Sequence, residues 1–569
     1  MWTSSWREQS AAEQHGEQQH QRDDTQDVNR AAPAAPDGFP AWLIKVVAVR
    51  PDSADDGPLA QPPEDHAFRD PKLLERARLL GCDRTCRLQD ADHPTLPGEK
   101  DRGNSAHRPL IITPWLTPAP VWGKTVCMRM STSAAVLTLS ASLLGTVVLA
   151  LPGHSGNTEE TQAASGAAAA TMIEVEGEGA KYWTRWRGPS GQGIVTAGKY
   201  REKWSAPAGV KWKVPVPGLG HSSPIVWGDR IFLTTAQDGG ARVSMIAFNR
   251  TTGKQLWEAF VPTKHGPEHV YPKNSRASAT AITDGTLVYA SFGTHGLMAV
   301  DFNGKIAWHN PVGRLANTHG SAGSPILYKD RIFIYQDHKG TEETGAYVGA
   351  FDKKTGKQIW RTDRVETVGW GTPVVIRAGN RDELIVSSQY RVYGYDPQTG
   401  KQLWFVKGLG FEVIPTPVIA EGLILCSSGR QGPTIAIRPG GTGDVTSTHV
   451  AWSSPKGSPF IPSGIVVDGV LYLVNDIQSV LTAHDVKTGE VLYQGRLGVA
   501  KKEGFSPSPV AFGGKIFLTN DDGETYVVKA GRKFNLLHVN TLGEQTLASP
   551  ALVDGHWYFR TASSLVAIQ

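Results

Sequence analysis

Six histidines of polar, turn-rich segments, His221, His265, His269, His295, His319 and His338, fall in one stretch of the chain, with Asp238, Asn317 and Asp337 among them. Neutral imidazoles beside a carboxylate such as Asp337 make a donor set suited to a transition metal. Spread over polar loops, the same residues are ordinary solvent-facing side chains. Asn475-Asp476 and Asp521-Asp522-Gly523 carry oxygen ligands of the calcium type. In that order, however, Asn, Asp and Gly are first of all turn residues. Trp370, in VGWGT, offers a flat surface on which a planar ligand or a sugar ring can stack. No nucleophile-base-orienter set, phosphate loop or paired-carboxylate spacing stands out in the sequence.

Residues so far apart act together only if the fold gathers them, and a repeat supplies the means. NRTTGKQLW from Asn249, DKKTGKQIW from Asp352 and DPQTGKQLW from Asp396 are three copies of one turn motif. DFNGKIAW from Asp301, DVKTGEVLY from Asp485, a long version ending at Trp452 and a worn one at Lys529 to Leu537 are altered copies. Before each runs a second signal: a small residue, often a proline, alternating apolar residues and a tight turn. It reads SSPIVWGDRIFL from Ser222, ATAITDGTLVYA from Ala279, GSPILYKDRIFI from Gly323 and GTPVVIRAGNRDELIV from Gly371. It returns as PTPVIAEGLILC from Pro415, PSGIVVDGVLYL from Pro462, PSPVAFGGKIFL from Pro507 and ASPALVDGHWYF from Ala548. Pro224 and Pro550 lie 326 residues apart over seven intervals, a period of about 47. A period of that size built from short alternating strands defines a propeller or a solenoid.

Each unit holds four strand-like stretches. The Asp of D-x-x-T-G-K can accept from backbone N–H groups two or three residues on, and its Gly can take φ > 0, so the motif is a hairpin turn. The Trp or Tyr that follows sits on the outermost strand and covers the seam between neighbouring sheets. The eighth unit ends at Gln569 one strand short, and VKWKVPV, from Val210 to Val216, supplies that strand with Trp212 in the place of the missing aromatic. Closure of this kind removes an open sheet edge. The expected fold is all-β: an eight-bladed propeller of four-stranded antiparallel blades, its last blade completed by an N-terminal strand. Seven blades with a separate edge hairpin is the alternative.

In such a ring, the loops leading into each innermost strand and the loops between second and third strands meet at one mouth of the central channel. The first set carries His221, His265, His269, Tyr271, Asn317, His319, Trp370 and Glu412. The second carries Asp238, His295, Asp337, His338, Arg430, Asn475, Asp476, Asp521 and Asp522. From these, His221, His269, His319, Asp337, Trp370 and Asp476 are the candidate ligand-binding residues at the mouth.

Residues 1–127 hold 14 of the 37 prolines, many charges and no apolar period, a composition that predicts disorder. Cys82 and Cys86 have no second pair of Cys or His nearby to complete a metal site. Met128-Arg-Met-Ser then opens an apolar run, Ala134 to Leu151, with small residues near Val148 and Ala150, the pattern of a secretory signal. A signal belongs at an N-terminus. The expectation is therefore translation from Met128 or Met130, with residues 1–127 a mis-annotated extension, 128–151 a signal peptide, 152–180 a flexible linker and 181–569 the propeller. A single-span membrane anchor is the alternative for 128–151. After cleavage one cysteine remains, Cys426, so no intramolecular disulfide can form and a large β core must carry stability. A net charge of +4 without a basic stripe argues against nucleic acid.

The A-x-D-x-x-T-G-K-x-x-W pattern, the small-Pro strand openings and YWTRWRGPSGQGIV (Tyr182 to Val195) together resemble the pyrrolo-quinoline quinone (PQQ)-like β-propeller repeat family of exported bacterial proteins, over about residues 181–569. The resemblance implies the propeller fold. It also implies two kinds of relative: quinoprotein dehydrogenases, which use PQQ and calcium, and a lipoprotein scaffold of outer-membrane protein assembly. The dehydrogenases cap the quinone with a vicinal disulfide or its equivalent, stack it on a Trp and hold calcium with Glu, Asn and Asp. No Cys-Cys pair occurs in this sequence, and no lipid-attachment cysteine follows the apolar run. The expected function is a periplasmic or secreted, non-catalytic binding or scaffolding module that takes a protein partner or small ligand at the channel mouth. A PQQ- and calcium-dependent dehydrogenase and a carbohydrate-binding propeller are the alternatives.

Overall fold

The computed structural model describes residues 169–569, apart from 263–264, 430–431 and 499–503. The readings for residues 1–127, for the apolar run 128–151, for Cys82 and Cys86, and for Arg430 lie outside the described residues.

Eight antiparallel sheets follow one another around a ring. Blade one is Ile225–Trp227, Arg230–Gln237, Arg242–Asn249 and Gln255–Phe260, and the same order of four strands recurs through blade seven, which ends with Leu536–Thr541. Blade eight takes Ala551–Val553, His556–Arg560 and Ser564–Ile568 from the C-terminus and Val210–Pro215 from upstream. Those two segments pair antiparallel with Trp212 opposite Ala567 and Val214 opposite Leu565, so the ring closes as expected. The second and third strands are buried along nearly their whole length, as in Arg230–Gln237, while an outer strand such as Val210–Pro215 alternates between half-buried and exposed. A middle strand is covered on both faces by neighbouring sheets and therefore reads as a continuous apolar run.

The turn motif works as its chemistry dictates. Asn249 Oδ1 accepts from Thr251 N (3.1 Å) and Thr252 N (2.9 Å), and Asp352 Oδ1 accepts from Lys354 N (3.1 Å) and Thr355 N (2.8 Å). In five blades the turn is also the landing site for the preceding blade's tryptophan. The indole N–H of Trp212 donates to Arg250 O (3.3 Å), Trp257 to Phe302 O (2.8 Å), Trp308 to Lys353 O (3.0 Å), Trp360 to Pro397 O (3.2 Å) and Trp452 to Val486 O (2.8 Å). At each landing the motif glycine lies beneath the ring. A Cβ on Gly356, whose φ is +69°, would meet Trp308 at 2.4 Å. Glycine is needed there both for the left-handed backbone and for the approach of the indole. Trp404 departs from the pattern, because blade five replaces the turn with an insertion carrying Gly443–Asp444, and its N–H goes instead to Glu383 Oε2 at 2.8 Å.

The segment before the first blade is a finding of its own. The end of the stretch read as a linker is ordered, and Ala170–Met172 pairs antiparallel with Val374–Ala378 as an extra innermost strand of blade four. The chain then crosses the channel. Val226 N of blade one donates to Trp183 O (2.8 Å) and Thr283 N of blade two to Thr184 O (3.0 Å). Arg187 Nη2 donates to Gly464 O of blade six (2.7 Å), and the Gln192 amide exchanges two bonds with the backbone of Ile419 in blade five. Ala511 N of blade seven donates to Gly193 O (2.9 Å). Blades one and five, and two and six, face each other across the ring, so a strap joined to all four spans the channel. Arg185 and Arg187 are buried in this plug against backbone carbonyls, and desolvation brings their pKa values down to about 10 and about 9.

Candidate functional site

With one end plugged, the channel is a pocket of about 290 Å³ open at the other. Trp186, in the plug, faces it from the closed end, and every blade contributes to its wall.

The wall is built on a belt of hydroxyls. The residue two places before each innermost strand is Ser223, Thr280, Ser324, Thr372, Thr416, Ser463, Ser508 or Ser549 in turn, and all eight are buried. Seven bonds run in series around the belt. The backbone N–H of Ser223 donates to Thr280 Oγ1, Thr280 to Ser324, Ser324 to Thr372, Thr372 to Thr416, Thr416 to Ser463, Ser463 to Ser508, and Ser508 to Ser549, all between 2.9 and 3.2 Å. Where blade eight meets blade one, the Arg560 guanidinium crosses instead, donating to Thr234 O and to Ser222 Oγ (3.4 Å). Burial brings the Arg560 pKa down to about 9.

Above the belt lies an aromatic rim. Tyr271 packs edge-on to His319 (5.4 Å between centroids), and His319 stacks on Trp370 (5.4 Å, 29°). The Trp370 N–H donates to Asn317 Oδ1 (3.0 Å) and Gly320 O (2.9 Å), which fixes the ring at 6% exposure. His319 Nε2 lies 3.2 Å from Glu412 Oε1. Lys273, on the long loop between blades one and two, reaches Asp521 of blade seven at 2.8 Å. Asp521 also accepts from Ser506 N (2.7 Å). Burial, with Arg560 and Lys273 nearby, pushes the His221 pKa down to about 4, so this imidazole is neutral.

Of the residues named from the sequence, the structure brings His221, His319 and Trp370 together in the pocket. Asp476 sits just behind its wall, accepting from Phe460 N (2.7 Å), and burial raises its pKa to about 6. His269 lines a separate surface crevice with His265, Glu268 and Glu343. Asp337 does not line the pocket: it is buried between blades three and four against Arg364 (2.7 Å) and Ser388. The hydroxyl belt was missed, although its signal is in the sequence: the residue before the proline position is Ser or Thr in all eight strand openings.

Fold and site together define a closed eight-bladed propeller with a plugged, hydroxyl-belted channel. The chain carries the PQQ-like β-propeller repeat, and the family pattern described as outer membrane protein assembly factor BamB matches residues 160–341 and 344–437. The chain is 25% identical over 343 residues to the outer membrane protein assembly factor BamB of Burkholderia pseudomallei, covering 58% of this chain and 79% of that one. It is 23% identical over 284 residues to the tetrathionate hydrolase of Acidithiobacillus ferrooxidans, covering 46% of this chain and 51% of the relative, about half its length. Among solved structures, a europium-containing methanol dehydrogenase superposes with a TM-score of 0.50 at 12% identity, over 68% of this chain and 90% of that one, a likeness of fold.

The residues that line the pocket supply neither the Glu-Asn-Asp calcium set nor the cysteine cap that the dehydrogenase resemblance implies. Trp186 offers a flat floor, but among the described residues no three His, Cys, Asp or Glu side chains converge as a metal site. Cys426 is buried within blade five, where it cannot cap a ligand. The channel cation Lys273 is engaged by Asp521, which leaves a tricarboxylate poorly matched.

Proposed function

We propose that this protein is an exported, non-catalytic binding propeller that engages a protein partner or small ligand at the channel mouth, its export directed by the apolar run that begins near Met128. The observation that carries this reading is the pairing of the charged groups around the pocket. Lys273 is held by Asp521, Glu412 faces His319, Asp476 caps a backbone N–H, and His221 is neutral. Among the described residues around the pocket, no group is left poised as nucleophile and base together. The mouth face also presents Leu219, Tyr271, Val365, Tyr390, Phe411 and Ile477, all exposed and all on the loops that converge there, as a docking surface needs. The similarity to assembly factors points the same way. The test is addition of PQQ and Ca²⁺ to the full-length protein with a dye-coupled alcohol oxidation assay, alongside affinity capture from the cell envelope. Absence of turnover with a captured protein supports the reading; dye reduction dependent on both additions overturns it.

A further inference from the structure

We infer that the plugged channel is a binding site for a neutral sugar of about one pyranose ring. The inference rests on the reading of this protein as a binding module and names the ligand class of its pocket. Three observations converge.

The first is the hydroxyl belt. Each belt oxygen that receives a neighbour's N–H keeps its own proton and one lone pair, so it can still donate once and accept once. A sugar hydroxyl has the same dual capacity. An oxyanion only accepts and an ammonium group only donates, so either would leave half of the belt's capacity unanswered.

The second is charge. Lys273 is neutralised by a fully buried Asp521, and the His221 imidazole carries no charge. An ion brought into this pocket would lose its water without finding an unengaged counter-charge among the side chains that line it, since Arg560 lies behind the belt with its N–H groups on Thr234 and Ser222, and this is unfavourable in a low-dielectric cavity. A polyol loses no full charge on entry.

The third is shape. The pocket has the volume of on the order of ten water molecules. Trp186 at the closed end and the half-exposed Tyr271 at the rim offer flat apolar surfaces to the C–H faces of a pyranose, while the belt surrounds its edge. Trp370 contributes less, because one of its faces is covered by His319.

The test is calorimetric titration of the full-length protein with D-glucose, D-galactose, D-mannose and cellobiose, in parallel with D-glucuronate and with PQQ plus Ca²⁺. The expected result is that at least one neutral sugar binds with Kd below about 10 mM and that glucuronate binds about tenfold more weakly than glucose. Tyr271→Ala and Ser508→Ala each weaken sugar binding by about tenfold, whereas Ser508→Thr, which keeps the hydroxyl, retains it. Circular dichroism establishes that the variants are folded. No binding by any of the four sugars, or tighter binding of glucuronate than of glucose, overturns the inference. If sugars fail while a protein partner is still captured, the ligand class falls and the binding-module reading stands. Quinone-dependent turnover overturns the binding-module reading itself.

Discussion

Lys273, on the loop between blades one and two, and Asp521, of blade seven and 248 positions away in sequence, meet at 2.8 Å over the channel mouth. The Asp521 side chain is fully buried and Lys273 nearly so, which makes this a desolvated pair rather than a surface one. Removing one partner of such a pair leaves an uncompensated charge. Lys273→Met is expected to cost about 3 kcal/mol, and Lys273→Met with Asp521→Asn together clearly less than the sum of the single changes. Chemical denaturation of the four proteins of this cycle measures it; additive losses would show the two residues to be independent.

Asp476 gives the protein a pH dependence whose sign follows from its environment. Burial raises its pKa to about 6, above that of the unfolded chain. Between about pH 4 and pH 6 the native state therefore holds a proton that the unfolded state has released, and stability falls as pH rises through that window. The contribution is roughly 3 kcal/mol, complete above pH 6. Denaturation at pH 4 and pH 7 is expected to show a smaller fall for Asp476→Asn than for the parent protein, the difference isolating this group from the other carboxylates.

The tryptophan landings separate two costs of replacing glycine. Gly356 and Gly469 have nearly the same backbone, φ +69° and +72°, but a Cβ on Gly356 meets Trp308 at 2.4 Å and one on Gly469 meets nothing within 4 Å. Gly469→Ala is expected to cost about 1 kcal/mol, from the left-handed backbone alone. Gly356→Ala adds steric displacement of the indole and is expected to cost about 3 kcal/mol. Equal losses on thermal melting would mean that the tryptophan yields freely.

Trp370→Ala is expected to be strongly destabilising, by about 3–5 kcal/mol, because it removes a buried indole together with its bonds to Asn317 and Gly320. A melting temperature close to that of the parent protein would contradict the packing described for this ring. Tyr271→Ala removes an exposed side chain and is the cleaner probe of the pocket.

The repeat, the number of blades and the closure at Trp212 were legible because each depends on local spacing, and a periodic signal is reinforced at every copy. The plug was not. Trp183, Arg187 and Gln192 belong to no repeat, and their partners Val226, Gly464 and Ile419 are set only by the closed ring. Loop position alone puts Asp337 among the mouth candidates and does not show that Arg364 and Ser388 draw it between blades three and four. Ser223 and its seven counterparts were visible as small residues. Their shared hydroxyl acquires meaning only once the ring sets each oxygen beside the next blade's N–H.

A belt repeated in every blade is close to rotationally degenerate, so by itself it holds a guest in many equivalent poses. The degeneracy is lifted where Arg560 interrupts the series and where the loop bearing Tyr271 and Lys273 leans over one side. Discrimination between guests is thereby concentrated in one surface segment, separate from the strands that hold the ring together. Such a scaffold can acquire a new preference by exchange of that segment, as long as the Lys273–Asp521 pair is kept.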